Sequence, residues 1–261
     1  MEITVLGSGS EGNCTYVASK KTHVLIDAGF GARSIERRCQ DAGISLRQLD
    51  AVLLTHAHCD HTRGLSSLLK KFQVPVYLTN GAQGELPSCP MLREACIITR
   101  REEFVVGDLE IQAFPTSHDS AESVGFQVSC RGITGTLATD LGKLTSRVIE
   151  RLNRSDWIVI ESNHDEKLLR IGPYPLSLKR RILGEKGHIS NQAVADFLEL
   201  QFSGLARHIF LAHISRKNNV PSLVMDSALE ALSRRNQGSL FKLDPRLYLT
   251  HQNGPSEVLK L

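Results

Sequence analysis

Apolar positions along the chain follow two spacings in alternation. Short runs rich in Val, Ile, Leu and Thr, bounded by turn residues, predict strands at ITVLG (3–7), CTYVAS (14–19), HVLID (23–27), VPVYLT (74–79), LEIQAFPTS (109–117), VGFQVSC (124–130) and GTLATD (135–140). AVLLT (51–55), WIVIES (157–162) and HIFLAHIS (208–215) are near-continuous apolar runs, the pattern of strands buried on both faces. Between them, apolar and charged residues recur at helical spacing: ARSIERRCQDAG (32–43), which stops at Gly43, then GLSSLLKKF (64–72) and KLTSRVIERL (143–152). HDEKLLRIG, PLSLKRRILGEKG and NQAVADFLELQ predict three more helices after WIVIES, PSLVMDSALEALSRR (221–235) predicts a last one, and the tail has room for a further strand. Strands alternating with helices, without repeats or a long linker, predict one layered α/β domain over 1–261.

Composition changes this picture little. The chain has 261 residues, with 31 basic and 28 acidic side chains, and the net +3 argues only weakly for a nucleic-acid partner. No apolar run reaches the ~18 residues of a membrane span. The start, MEITVLGSGSEGN, lacks the charged and apolar regions of a secretory signal. The six cysteines, Cys14, Cys39, Cys59, Cys89, Cys96 and Cys130, form no C-x-x-C pair. Reduced thiols in a cytoplasmic protein are the expectation.

GSGSEG (7–12) satisfies G-x-G-x-x-G after a strand, the opening of a dinucleotide site. That site needs a helix to begin there, and the strand-like CTYVAS follows instead. A glycine-rich hairpin turn, or a turn whose backbone passes close to a buried site, fits better.

THAHCDH (55–61) begins where the buried run AVLLT ends, the place where α/β proteins put function. His56, His58, Asp60 and His61 offer imidazole and carboxylate ligands that one tight loop can turn toward neighbouring ions. One loop cannot complete two sites. His118 in PTSHDS, Asp140 in LATDLG and His213 in LAHIS each follow a different predicted strand, at its C-terminal end.

In the order Asp27, H-x-H-x-D-H at 56–61, His118, Asp140 and His213, the chain resembles the metallo-β-lactamase superfamily over nearly its whole length. Within it, GSGSEGNC, LLTHAHCDHTRG, TDLG, ESNHD, GHISN and LAHISRKNN resemble the YycJ/WalJ group of metal-dependent DNA exonucleases. The resemblance implies an α/β fold, a four-layer αββα sandwich with a dinuclear metal site at the sheet edge. It implies that His56, His58 and His118 bind one divalent ion, that Asp60, His61 and His213 bind a second, and that Asp140 bridges them. Asp27 would hold the histidine loop by hydrogen bonds, although a turn-forming Asp before Gly29 explains it equally well. The donor set suits Mn2+, Zn2+ or Fe2+. The expected chemistry is hydrolysis by a hydroxide bridging the two ions, oriented by Asp60, with no covalent intermediate.

The residues between Asp140 and His213 bear on the substrate. The stretch 163–207 is helical and carries Lys167, Arg170, Lys179, Arg180, Arg181 and Lys186. Such cations form either a solvated face or a phosphate-binding one, since phosphate contacts supply most nucleic-acid affinity. His164 follows WIVIES and could protonate a leaving oxygen. His188, with Ser190 as the cap of the next helix and with Arg180 and Arg181, would form an anion pocket. The expectation is a phosphodiesterase acting on nucleic acid, a DNA exonuclease. A small-molecule phosphodiesterase or thioesterase, and a metal-stabilised regulatory protein, stay open as alternatives.

Overall fold

The computed structural model describes residues 1–46, 48–87, 92, 95–237 and 239–261. The chain divides into two compact units, one made of Met1–Pro115, Ser120–Ile133 and Thr250–Leu261, the other of Thr116–Asp119 and Thr134–Leu249.

The first unit contains β1 (Glu2–Gly7), β2 (Cys14–Ala18), β3 (His23–Ile26), β4 (Ala51–Leu53), β5 (Val76–Thr79), β6 (Cys96–Ile98) and β14 (Leu259–Lys260), in the order β14-β1-β2-β3-β4-β5-β6. β1, β2 and β3 are antiparallel neighbours, whereas β3 to β6 run parallel. Parallel neighbours need crossovers. α1 (Ala32–Asp41) supplies the one from β3 to β4, and the four-residue α2 (Cys59–Thr62) with α3 (Leu65–Phe72) the one from β4 to β5. The apolar stripes of these helices, Ile35 and Cys39 on α1 and Leu65, Leu68 and Leu69 on α3, are buried in one core with Tyr16, Leu25, Val52 and Leu78. α4 (Asn80–Glu85) starts where the Thr79 hydroxyl accepts from the Ala82 amide. β7 (Glu103–Val106), β8 (Leu109–Pro115) and β9 (Val124–Cys130) form an antiparallel meander in the same unit.

The second unit holds β10 (Ile133–Ala138, all but its first residue), β11 (Trp157–Glu161), β12 (His208–Ala212) and β13 (Arg246–Leu249), parallel and in chain order. Every residue of β11 is buried, as its continuous apolar run requires. Gly135 is obligatory beside it, because a Cβ there would lie 1.7 Å from the Trp157 ring. The crossovers are α5 (Ser146–Asn153), then α6 (Glu166–Ile171), α7 (Leu176–Ile182) and α8 (Asn191–Leu200), then α9 (Pro221–Asn236). Thr145, Asp165 and Ser190 cap α5, α6 and α8 with a side-chain oxygen. α8 and α9 pack together, burying Val194, Phe197 and Leu198 on one and Val224, Ala228 and Ala231 on the other.

No helix among the described residues is long and apolar enough to cross a membrane. Cys14, Cys39, Cys59, Cys96 and Cys130 are free thiols, and Cys89 lies outside the described residues. The GSGSEG stretch is the turn of the β1–β2 hairpin, with a strand and not a helix after it.

Candidate metal centre

In the first unit the predicted histidine loop leaves the end of β4 and folds into α2. Thr55 anchors it. Its amide and its hydroxyl both donate to the Asp27 carboxylate, at 2.9 Å to Oδ1 from the nitrogen and 2.9 Å to Oδ2 from the oxygen. With its proton committed to Asp27, the Thr55 Oγ1 accepts from His56 Nδ1 at 2.9 Å. Asp27 Oδ2 also accepts from His61 Nδ1, at 2.8 Å. Both imidazoles are thereby held with a proton on Nδ1, which leaves a lone pair on each Nε2, the form that binds a cation. Asn13, in the glycine-rich turn, places its Nδ2 3.0 Å from His61 Nε2 and 3.3 Å from Asp60 Oδ2. Its backbone amide donates to the Asp60 carbonyl at 2.7 Å. The turn therefore braces the buried site, and Gly29 permits the approach: a Cβ there would lie 1.8 Å from the Asp60 carbonyl oxygen. His58 is half-buried and precedes α2, and its carbonyl accepts from the His61 amide at 2.9 Å.

The second unit gathers His118, Asp140 and His213 with Glu161 at the end of β11 and His188 in the segment between α7 and α8. Asp140 Oδ1 lies 3.8 Å from His118 Nε2, 3.5 Å from His213 Nε2 and 3.7 Å from His188 Nδ1. These spacings are too long for hydrogen bonds. The two that end on an Nε2, from His118 and His213, are close to what two donors subtend when each bonds one ion at about 2.0–2.2 Å. Glu161 Oε1 accepts from His188 Nδ1 at 2.7 Å and from His213 Nδ1 at 3.0 Å, while its Oε2 accepts from the Leu141 amide at 2.7 Å. His118 Nδ1 donates to the Gly187 carbonyl at 3.2 Å. Again His118 and His213 each spend the Nδ1 proton on an oxygen and keep a lone pair on Nε2. Asp140, Glu161, His188 and His213 form a group able to hold a cation.

Burial works to raise the Glu161 carboxyl, but the charge and hydrogen bond of His188, with the hydrogen bond of His213, outweigh it and hold it at about 2. Glu161 is thus an anion in the interior of the unit. Burial pulls His188 down, and the facing Glu161 charge reverses the effect and raises it. Burial lowers His118, which keeps it neutral and available as a ligand. Three of the predicted site residues also carry left-handed backbone: Asp27 at φ 65°, Asp140 at φ 57° and His213 at φ 54°. A residue with a Cβ pays of order 1–2 kcal/mol for this. Such strain persists only where surrounding contacts over-determine it, and it clusters at functional sites.

The remaining predicted residues are placed as follows. His164 is buried, and neither ring nitrogen has a hydrogen-bond partner among the described residues. It is absent from the cation-holding groups found among them, whereas His188 is present. Ser190 spends its hydroxyl oxygen on capping α8, and the hydroxyl donates to Glu166 Oε1 at 3.3 Å. Arg181 donates from Nε to Asp119 Oδ2 at 2.5 Å, and Arg180 is exposed. Glu161, Asn13 and Asn163, whose Nδ2 donates to the His213 carbonyl at 2.9 Å, escaped the sequence reading. The signal for Glu161 was a carboxylate ending the buried run WIVIE, where an unpartnered charge is untenable.

Comparison with known proteins accords with this chemistry. The chain is 32% identical over 242 residues to an exodeoxyribonuclease YycJ of Bacillus anthracis, covering 91% of each chain. It is 29% identical over 240 residues to an exodeoxyribonuclease WalJ of Streptococcus pneumoniae, covering 90% of this chain and 89% of the other. Among solved structures, the metallo-β-lactamase fold protein YhfI of Bacillus subtilis superposes with a TM-score of 0.72 at 14% identity, over 99% of both chains. Zn2+-bound PqqB of Methylobacterium extorquens gives 0.72 at 16% identity, over 100% of both. These two likenesses show the fold, the αββα sandwich of the metallo-β-lactamase type. Residues 22–214 match the family described as the beta-lactamase superfamily domain. The chain belongs to that superfamily, as a metallo-hydrolase with the YycJ and WalJ exodeoxyribonucleases among its relatives.

Proposed function

We propose that this protein is a divalent-metal-dependent DNA exonuclease working in the cytoplasm. The observation that carries the substrate assignment is the identity with exodeoxyribonucleases over nine-tenths of both chains. We infer that His56, His58, Asp60, His61, His118, Asp140 and His213 are the metal ligands, two ions per chain with Asp140 shared. The donor chemistry supports this. Each of His56, His61, His118 and His213 is fixed with its Nδ1 proton on an oxygen. Their Nε2 atoms are the expected ligands, and Mn2+, Zn2+ or Fe2+ accepts such a set. Bound divalent ions supply Lewis acidity toward a phosphoryl oxygen and a low pKa for water.

The chain's own groups do the rest. Asp27 and Thr55 keep the histidine loop from collapsing or changing tautomer. Glu161 does the same for His213, and its charge favours the protonated form of His188, the form that can neutralise a phosphate oxygen or give a proton to the leaving oxygen. Asp60 is half-buried next to Asn13 and is oriented by it.

The test is digestion of end-labelled single- and double-stranded DNA by protein freed of metal and then supplied with Mn2+, Zn2+ or Fe2+. Stepwise shortening from one end, abolished by chelation and reduced about a hundredfold or more by Asp140→Asn, is expected, since even losing a group that only orients a metal ligand costs about 10–100-fold. Cleavage of small phosphodiesters with no action on DNA would overturn the assignment.

A further inference from the structure

We propose that the helical hairpin of α6 and α7 is a DNA contact whose apolar tip inserts between unpaired bases of the substrate strand. This rests on the nuclease reading above. Ile171 at the end of α6 is 80% exposed, Leu176 at the start of α7 is 63% exposed, and Leu183 just past α7 is 45% exposed. Ile171 and Leu176 lie at the tip itself, and two large aliphatic side chains in water within six residues are a cost to the folded state unless something covers them. Between residues 166 and 186 the hairpin also carries six cations, Lys167, Arg170, Lys179, Arg180, Arg181 and Lys186, against two carboxylates, Glu166 and Glu185. Apolar side chains set among cations complement a polymer with flat apolar bases and an anionic backbone. Leu and Ile act as such wedges between base steps. Entering a paired duplex would first cost the unstacking of a base step, so a single strand or a frayed end is the occupant.

The tip is preorganised for the task. Pro173 and Pro175 flank Tyr174 and fix φ on either side of it. Gly172 has no room for a Cβ, which would lie 2.5 Å from Asn218 Oδ1. The Lys217 ammonium sits 5.6 Å from the Tyr174 ring centre. Lys179 Nζ donates to the Arg170 carbonyl at 2.7 Å and ties the two helices together. A rigid tip gives up little entropy on binding.

The base of the hairpin is fastened to the segments that carry His118 and Asp140. Arg181 bonds Asp119, Ser117 donates to the Glu185 carbonyl, and His118 donates to the Gly187 carbonyl. The Gly142 amide donates to the Ser117 carbonyl at 2.6 Å. α7, at about 1.5 Å per residue, separates tip from base by about 10 Å. That is the reach of about three nucleotides at ~3.4 Å each.

The experiment compares wild type with Ile171→Ser/Leu176→Ser, both at exposed positions, with the thermal midpoint as a check on folding. Binding is read by fluorescence anisotropy in EDTA with labelled oligothymidylates of increasing length and with a blunt duplex. The double variant should bind long single strands about tenfold more weakly, the scale of a lost base contact. The loss should grow with length beyond about three nucleotides and be small for the blunt duplex. Digestion of single strands with metal restored should slow in parallel. If wild type neither binds nor shortens DNA, the nuclease reading fails and the hairpin proposal with it. If wild type shortens DNA and the variant binds and shortens long strands equally well, the hairpin proposal alone is overturned. Loss of binding to anionic lipid vesicles without loss of DNA binding would overturn it too, in favour of a membrane contact.

Discussion

At Thr55 a single hydroxyl settles the state of a whole loop. It has one proton, given to Asp27, so toward His56 it can only accept. The same logic assigns His61 through Asp27 and His213 through Glu161. His164 is the contrast, an imidazole buried with no hydrogen-bond partner among the described residues, and burial lowers its pKa from 6.5. A base whose folded pKa is depressed is protonated first in the unfolded chain. Stability is therefore retained above about 6.5 and lost as pH falls through that value. Urea midpoints of the metal-free protein should drop between pH 7.5 and 5, and His164→Gln should reduce that drop. His118, lowered by burial as well, keeps part of it. An identical drop in the variant would show that His164 does not titrate on unfolding. The seven ligand candidates were legible in the sequence because each is a His or Asp just past a buried apolar run. Glu161 and Asn13 were not, because a lone Glu or Asn carries no spacing signal and its partners lie far along the chain, 52 residues away for Glu161 and His213.

At the scale of elements, the long strongly patterned ones were read nearly to the residue. VGFQVSC is β9 without adjustment, and PSLVMDSALEALSRR is α9 short by one residue. The missed elements are short or weakly patterned. α2 is four residues made of site chemistry, CDHT, and β6 has three residues with one of them exposed. β7, EFVV, buries only its last residue, so alternation in it is faint. α4 begins Asn-Gly, a turn signal that the Thr79 cap overrides. The loop elements around Gly29 allow a sharp test. A methyl there would press on two backbone atoms, the Asp60 carbonyl oxygen at 1.8 Å and the Asn13 nitrogen at 2.4 Å. Gly29→Ala should destabilise the protein by about 1–3 kcal/mol, the range of overpacking, and should lower bound metal measured by elemental analysis. Gly84→Ala is the control: it lies in α4 with nothing within 4 Å of the added carbon, so a gain of about 0.5–1 kcal/mol is expected. Equal effects at the two positions would refute the close-approach role of Gly29.

At the scale of the whole molecule, residues 250–261 return to the unit that contains β1. β14 pairs with β1, and the Ser256 hydroxyl accepts from the Val5 amide at 3.0 Å. The Gln252 carbonyl accepts from the buried Arg38 guanidinium at 3.0 Å, while its side chain bonds Glu11 and Gly12 in the glycine-rich turn. Deleting 250–261 should therefore lower the unfolding midpoint and speed amide hydrogen exchange in β1, β2 and the turn bearing Asn13. Protection in β11 and β12 should be retained, and uniform loss everywhere would argue against this division. The C-terminal return also orders events during synthesis. A ribosome delivers Thr4 and its partner Ser256 252 residues apart. At about 5–20 residues per second, Thr4 waits at least about ten seconds for it. Meanwhile the strands β10 to β13 have all emerged. The turn that bears Asn13 is thus made early but gains its contacts with Gln252 only after Asp140 and His213 have been made.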